Sequence, residues 1–165
     1  MKAVIRTAKT TDAVAIAALV QESFNQFVAP EWEPQARDAF MSQSSAERFN
    51  VLIPEAAFAS VAESSSELVG VILLPTPSLL GFLFVRANWH RRGVASQLWE
   101  AARAHVEARH PEVKTVELNS SPYAVAAYQA LGFYPISQPF RRGGSLATRM
   151  ACWLPGQALE RGPQA

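Results

Sequence analysis

The chain of 165 residues is 49% hydrophobic and 18% charged, a composition that suits one soluble globular domain whose core needs no covalent staples. Fifteen Lys and Arg against fourteen Asp and Glu leave a formal net charge of +1, so no overall field draws it to nucleic acid or a membrane. A single cysteine, Cys152, excludes an internal disulfide framework, and no run approaches the roughly 18 apolar residues of a membrane span.

Cys152 has no Cys or His neighbours in sequence, so no metal site is expected; it reads as a small buried hydrophobe or a reactive thiol. A reducing cytoplasm fits. Lys2, Arg6 and Lys9 before the apolar run Ala13 to Val20 have the look of a leader. Asp12 interrupts that pattern, no small-residue cleavage site follows, and the segment continues as an amphipathic helix, so it is not read as a signal peptide.

In chain order, Ala3 to Thr7 is a short β-favouring stretch, and Thr10, Thr11 and Asp12 offer N-caps. Ile16, Leu19, Val20, Phe24 and Phe27 mark one face of a helix ending near Pro30. Glu31 to Pro34 is a break carrying Trp32, either a lid over a substrate or a rim residue covering the end of the core. Ala36, Phe40, Met41 and Ala46 suggest a second, weaker helix. Ala57 to Ala62 and Leu68 to Leu74 read as strands joined by a hairpin loop over Glu63 to Glu67. Pro75 to Ser78 breaks the run before another strand, Leu79 to Val85.

His90 to Ser96 then joins that strand to a helix carrying Val94, Leu98, Ala102 and Val106 at helical spacing. The first amides of a helix lack intrahelical partners and point at anions, Gly93 permits close approach, and Arg91 and Arg92 add fork-shaped donors. The stretch is either such an anion-binding turn or a plain helix start with solvated arginines.

Lys114 to Asn119 alternates as a strand. Ser121 and Pro122 open a further helix with Ala124, Tyr128 and Leu131 on one face, and Gly132 suits its C-terminus. Phe133 to Ser137 and Leu146 to Leu154 read as strands, with Arg141 to Gly144 a basic, flexible connection between them. Residues 1–154 are expected to form one domain and 155–165 a mobile tail.

This order resembles the GNAT acyltransferase superfamily over most of the chain. The family's turn of Gln or Arg, two variable residues, Gly, one variable residue, then Gly or Ala maps onto His90 to Ala95, with His90 a departure. Its later motif, a small residue four before Tyr and then Leu-Gly-Phe, maps onto Ala124, Tyr128, Leu131, Gly132 and Phe133. A nucleotide-binding doubly wound domain is disfavoured, because the glycine turn follows three strand candidates instead of opening the first βα unit.

The resemblance implies an α/β (α+β) fold with a mixed, mostly antiparallel sheet of about six to seven strands flanked by about four helices. It implies acetyl-CoA as donor co-substrate, with Phe84 and Val85 offering backbone groups to the pantetheine arm. Arg91, Arg92, Gly93, Val94, Ala95 and Ser96 would hold the pyrophosphate. Asn119 and Ser121 share the place of a cofactor-contacting Asn. Tyr128 would protonate the departing thiolate or orient the cofactor.

Leu79, Leu80 and Gly81 stand where some relatives carry a basic carboxylate, which leaves Glu117, Glu22 or a water relay as candidates, with His90 read as a phosphate neighbour or exposed residue in preference to a base. Without a base, the rate is expected to climb with pH and show no plateau near neutrality. The implied activity is N-acetylation of a primary amine on a small molecule or protein by direct attack in a ternary complex. A non-catalytic acyl-CoA sensor is the alternative. Acceptor choice is expected to lie in Phe27 to Phe49 and in Arg141 to Gly144, whose charge hints at an acidic acceptor; a homodimer is one assembly to expect.

Overall fold

A computed structural model describes residues 1–154, so the expected tail lies outside the described residues. The order is β1 (Val4–Thr7), α1 (Ala13–Phe27), α2 (Pro34–Gln43), α3 (Ala46–Glu55), β2 (Phe58–Ser64), β3 (Glu67–Leu74), β4 (Phe82–Val85) and α4 (Val94–Arg109). There follow β5 (Thr115–Ser120), α5 (Val125–Ala130), β6 (Tyr134–Pro135), β7 (Phe140–Arg142) and β8 (Ser145–Trp153). The mixed α/β class is as expected, with somewhat more strands and one more helix.

The strands form two antiparallel half-sheets, β1-β2-β3-β4 and β5-β8-β6, with β7 also paired to β8. A parallel bridge at Leu79 and Glu117 links the halves: the Leu80 amide donates to the Glu117 carbonyl at 2.9 Å, and the Glu117 amide to the Ser78 carbonyl at 2.8 Å. Beyond it β4 and β5, edges of different half-sheets, are not paired and splay apart, opening a cleft toward the ends where α4 and α5 begin.

Each face of the first half-sheet carries its own core. Ile16, Leu19 and Val20 of α1 and Phe49 and Ile53 of α3 pack on Val61, Val71 and Leu73. On the other face Leu98, Trp99, Ala102 and Val106 of α4 pack on Ile72 and Leu74, and the cluster continues into Val116, Leu118, Met150 and Cys152 of the second half-sheet. Gly70 makes the approach of α4 possible: a Cβ there would stand 3.0 Å from Leu98 Cδ1 and 3.1 Å from Val94 Cγ1. The glycine thereby sets how closely the start of α4 lies on the sheet.

Several local expectations change. The segment after Trp32 is two helices, because Ser45 accepts from the Arg48 amide at 3.1 Å and starts α3 afresh, with Phe49 and Ile53 buried. The β2–β3 connection is a two-residue turn in which Ser65 and Ser66 take positive φ, the twist a tight hairpin favours. Of Leu79 to Val85 only Phe82–Val85 pairs as β4, and of Phe133 to Ser137 only Tyr134–Pro135 is strand. Arg141 and Arg142 belong to β7, and Gly143 and Gly144, both at positive φ, turn the chain into β8.

Asp12 does not cap α1. Its carboxylate accepts from the Lys9 amide at 2.8 Å and from Arg6 Nη1 and Nη2 at 2.8 Å each, while Arg6 Nε donates to Glu63 at 2.7 Å. The guanidinium holds the Asp12 carboxyl below its usual range. Cys152 is buried, which pushes its thiol up and leaves it an inert core residue. No helix among the described residues is long and apolar enough to cross a membrane.

Candidate active site

The splay encloses a cleft of about 550 Å³. Its β4 wall follows from strand alternation: Arg86 donates to the Val69 carbonyl at 2.9 Å, so Arg86, Phe84 and Phe82 turn their backbone groups to β3. Leu83 and Val85 turn theirs to the cleft. The Val85 backbone faces the cleft, and Phe84 lines it with a side chain that lies near Phe40.

At the end of β4 the chain passes through Arg91, at φ 60°, and Gly93, at φ 82°, into α4. The first amide of α4 satisfied within the helix is that of Gln97, on the Gly93 carbonyl at 3.0 Å. The amides of Val94, Ala95 and Ser96 remain available to an anion. Arg91, Gly93, Val94, Ala95 and Ser96 all line the cleft. Arg92 does not: its guanidinium lies 4.1 Å above the Trp89 ring and reaches the Met1 carbonyl at 3.4 Å. The two arginines, equivalent by sequence, are divided between cleft and scaffold.

The opposite wall carries Asn119, Ser121, Ala124, Ala127, Tyr128 and Leu131. Tyr128 is partly buried, with its ring edge-on to Phe133 at 5.7 Å, and among the described residues its hydroxyl has no hydrogen-bond partner. Burial raises its phenol above the ordinary value, so it stays protonated well into the alkaline range.

The third wall comes from α1 and α2. Phe24 stacks on Phe40 at 3.9 Å and meets Trp32 edge-on at 5.1 Å; Phe27 stacks on Tyr123 at 4.7 Å and lies 5.2 Å from the His90 ring. Trp32, at the mouth of this wall, is held by the Arg37 side chain on its carbonyl and by the Glu33 amide, which donates to the Gly144 carbonyl at 2.9 Å. Sequence reasoning anticipated that Phe27 to Phe49 and the Arg141–Gly144 hairpin would lie on one side. It missed Phe24, Tyr123 and Ser23 as lining residues; the helical face carrying Phe24 was read only as core.

Neither Glu22 nor Glu117 lines the cleft. Glu22 pairs with Arg86 at 2.8 Å and Glu117 with Arg149, each toward solvent. His90 does line it, with Nε2 2.7 Å from the Val85 carbonyl oxygen.

The acetyltransferase (GNAT) domain model matches residues 28–154, and the chain belongs to that family. A GCN5-related N-acetyltransferase from Rhodopseudomonas palustris superposes with a TM-score of 0.79 at 19% identity, covering 93% of this chain and 97% of its own. The PaiA N-acetyltransferase of Thermoplasma acidophilum, solved with coenzyme A, gives 0.77 at 15% identity over 93% and 99%. The ribosomal-protein-S18-alanine N-acetyltransferase of Escherichia coli gives 0.61 at 19% over 92% and 94%. A search of curated proteins finds no significant match. Acetyl-CoA is the co-substrate, and the free amides from Val94 to Ser96, with Gly93 before them, suit its phosphates.

Proposed function

We propose that the protein transfers an acetyl group from acetyl-CoA to a primary amine by direct attack in a ternary complex. The observation that carries this reading is the splayed cleft, which has an amide-lined anion site at one wall, a protonated phenol at the second and an aromatic recess at the third. Bound acetyl-CoA supplies the activated thioester. The amides of Val94 to Ser96 and the Arg91 guanidinium take its phosphates, and the inward backbone groups of Leu83 and Val85 take the pantetheine arm. Asn119 and Ser121 border the same arm. The Val85 amide is a donor for charge developing on the carbonyl oxygen.

The attacking nitrogen must be neutral, yet an alkylamine with pKa near 10.4 is neutral in only about one molecule in a few thousand at pH 7. Two features of the cleft act on this. Apolar walls disfavour the ammonium form, and the His90 imidazole, which lines the cleft, offers a nitrogen that can accept a proton. A carbonyl only accepts, so His90 carries its proton on Nε2 toward Val85 and keeps Nδ1 as a bare acceptor. It takes the amine proton, directly or through a water, and Tyr128 gives its proton to the thiolate as the C–S bond breaks. His90 is thus the base this reading favours over Glu117, Glu22 and a water relay, the candidates left open by the sequence.

Calorimetry with acetyl-CoA, paired with a thiol-release assay over a panel of amines, tests the assignment. Binding and acceptor-dependent release are expected. Tight binding with no release from any amine would favour the sensor reading instead.

A further inference from the structure

Resting on that reading, the composition of the acceptor recess narrows the amine. Among the described residues lining the cleft there is no Asp, Glu or Lys, and the only permanently charged one of them is Arg91, at the phosphate turn. The recess between α1, α2 and β4 is instead closed by rings: Phe24 against Phe40, Trp32 edge-on to both, Phe84 near Phe40, and Phe27 against Tyr123. The indole Nε1 of Trp32 is itself buried with no hydrogen-bond partner among the described residues, so its N–H is withdrawn from the surface of this wall.

We infer that the acceptor is an arylalkyl monoamine: one primary amine carried by a short chain on an aromatic ring. A ring entering the recess replaces water against aromatic faces and edges, the geometry in which such pairs attract. Its single amine loses charge on burial, which is the form that must attack. A second or third ammonium on the same acceptor would be desolvated with no carboxylate to meet it, and the aromatic faces offer only a weak substitute. Polyamines and aminoglycosides are therefore excluded by charge, whatever their length. The carboxylates nearest in sequence do not relieve this: Glu22 is tied to Arg86, and neither it nor Glu31 and Glu33, which flank Trp32, lines the cleft.

The experiment compares 2-phenylethylamine and tryptamine with spermidine and kanamycin in acetyl-CoA-dependent thiol release, with acetyl-CoA binding measured on the same protein. Arylalkylamines are expected to exceed the polycations at least 100-fold in kcat/KM. Trp32→Ala should raise the KM for tryptamine tenfold or more and leave the affinity for acetyl-CoA unchanged. Val28→Glu, which places a carboxylate on the same wall without removing a ring, should shift the spermidine-to-tryptamine ratio at least tenfold toward spermidine. Equal or better turnover of the polycations overturns the inference. So does silence from these four amines while another amine of the panel is acetylated, or a Val28→Glu ratio that does not move. Binding with no release from any amine, or failure of acetyl-CoA to bind, would instead count against the transferase reading itself.

Discussion

The imidazole of His90 is held by the carbonyl of Val85, Nε2 to oxygen 2.7 Å, and that bond decides which ring nitrogen is free. The same carbonyl belongs to the strand residue whose backbone faces the cleft. His90→Gln keeps a donor for Val85, and Gln is a residue the family signature accepts at this place, so folding and cofactor binding should persist. The basic lone pair is lost. Turnover at pH 7 should fall by about 100-fold or more, with the KM for acetyl-CoA within about twofold. The variant's rate should rise more steeply with pH than the wild type's. An unchanged profile in His90→Gln would return the proton to water.

Gly93 holds φ 82°, a conformation that costs an ordinary residue roughly 1–2 kcal/mol. Gly93→Ala should show that strain alone, as a modest loss of thermal stability with weakened binding. Gly93→Glu adds a negative charge to the phosphate turn, and the affinity for acetyl-CoA should drop by about 100-fold or more while circular dichroism stays native. Equal affinities in the two variants would mean that charge at this turn is irrelevant.

Tyr128 should lower kcat more than KM when changed to Phe. Because burial raises its phenol, the protonated form survives where an ordinary phenol, near pKa 10, has begun to ionise. The rate should therefore show no decline through about pH 10. Ultraviolet titration offers an independent reading: a late-ionising tyrosine should be seen, and it should disappear in Tyr128→Phe.

Asp12, held below its usual carboxylate range by Arg6, adds stability that is present above the unfolded pKa of about 3.9 and is lost as pH falls through the folded value. Asp12→Asn should cost about 1 kcal/mol at pH 7, the scale of a partly exposed pair. The difference from wild type should shrink on acidification toward pH 3. A gap that stays constant with pH would assign the loss to packing.

The anion turn was legible in the sequence because a glycine, two arginines and helical periodicity meet within a few residues, and Tyr128 because its partners repeat at one helical face. The acceptor wall was not, since Phe24 and Phe40 obey the same spacing as core residues; only the splay of β4 from β5 turns their rings into a lining. The fate of Glu117 was equally hidden. Its partner Arg149 lies on β8, and antiparallel pairing sets the two strands side by side across a long stretch of chain. Arg91 and Arg92 differ through backbone angles and the nearby Trp89 ring, which composition does not report.

The cleft draws its acceptor wall from residues 23–40 and its donor walls from residues 81–131. Two separate stretches of one chain thus hold largely separable tasks, with Phe84 and Tyr123 of the second also facing the acceptor recess. Substitutions accumulating in the first would retune which amine is taken without disturbing how the acetyl group is delivered. Selection on a new nutrient or toxin would have a short target in which to work, and so would an engineer exchanging that segment for another.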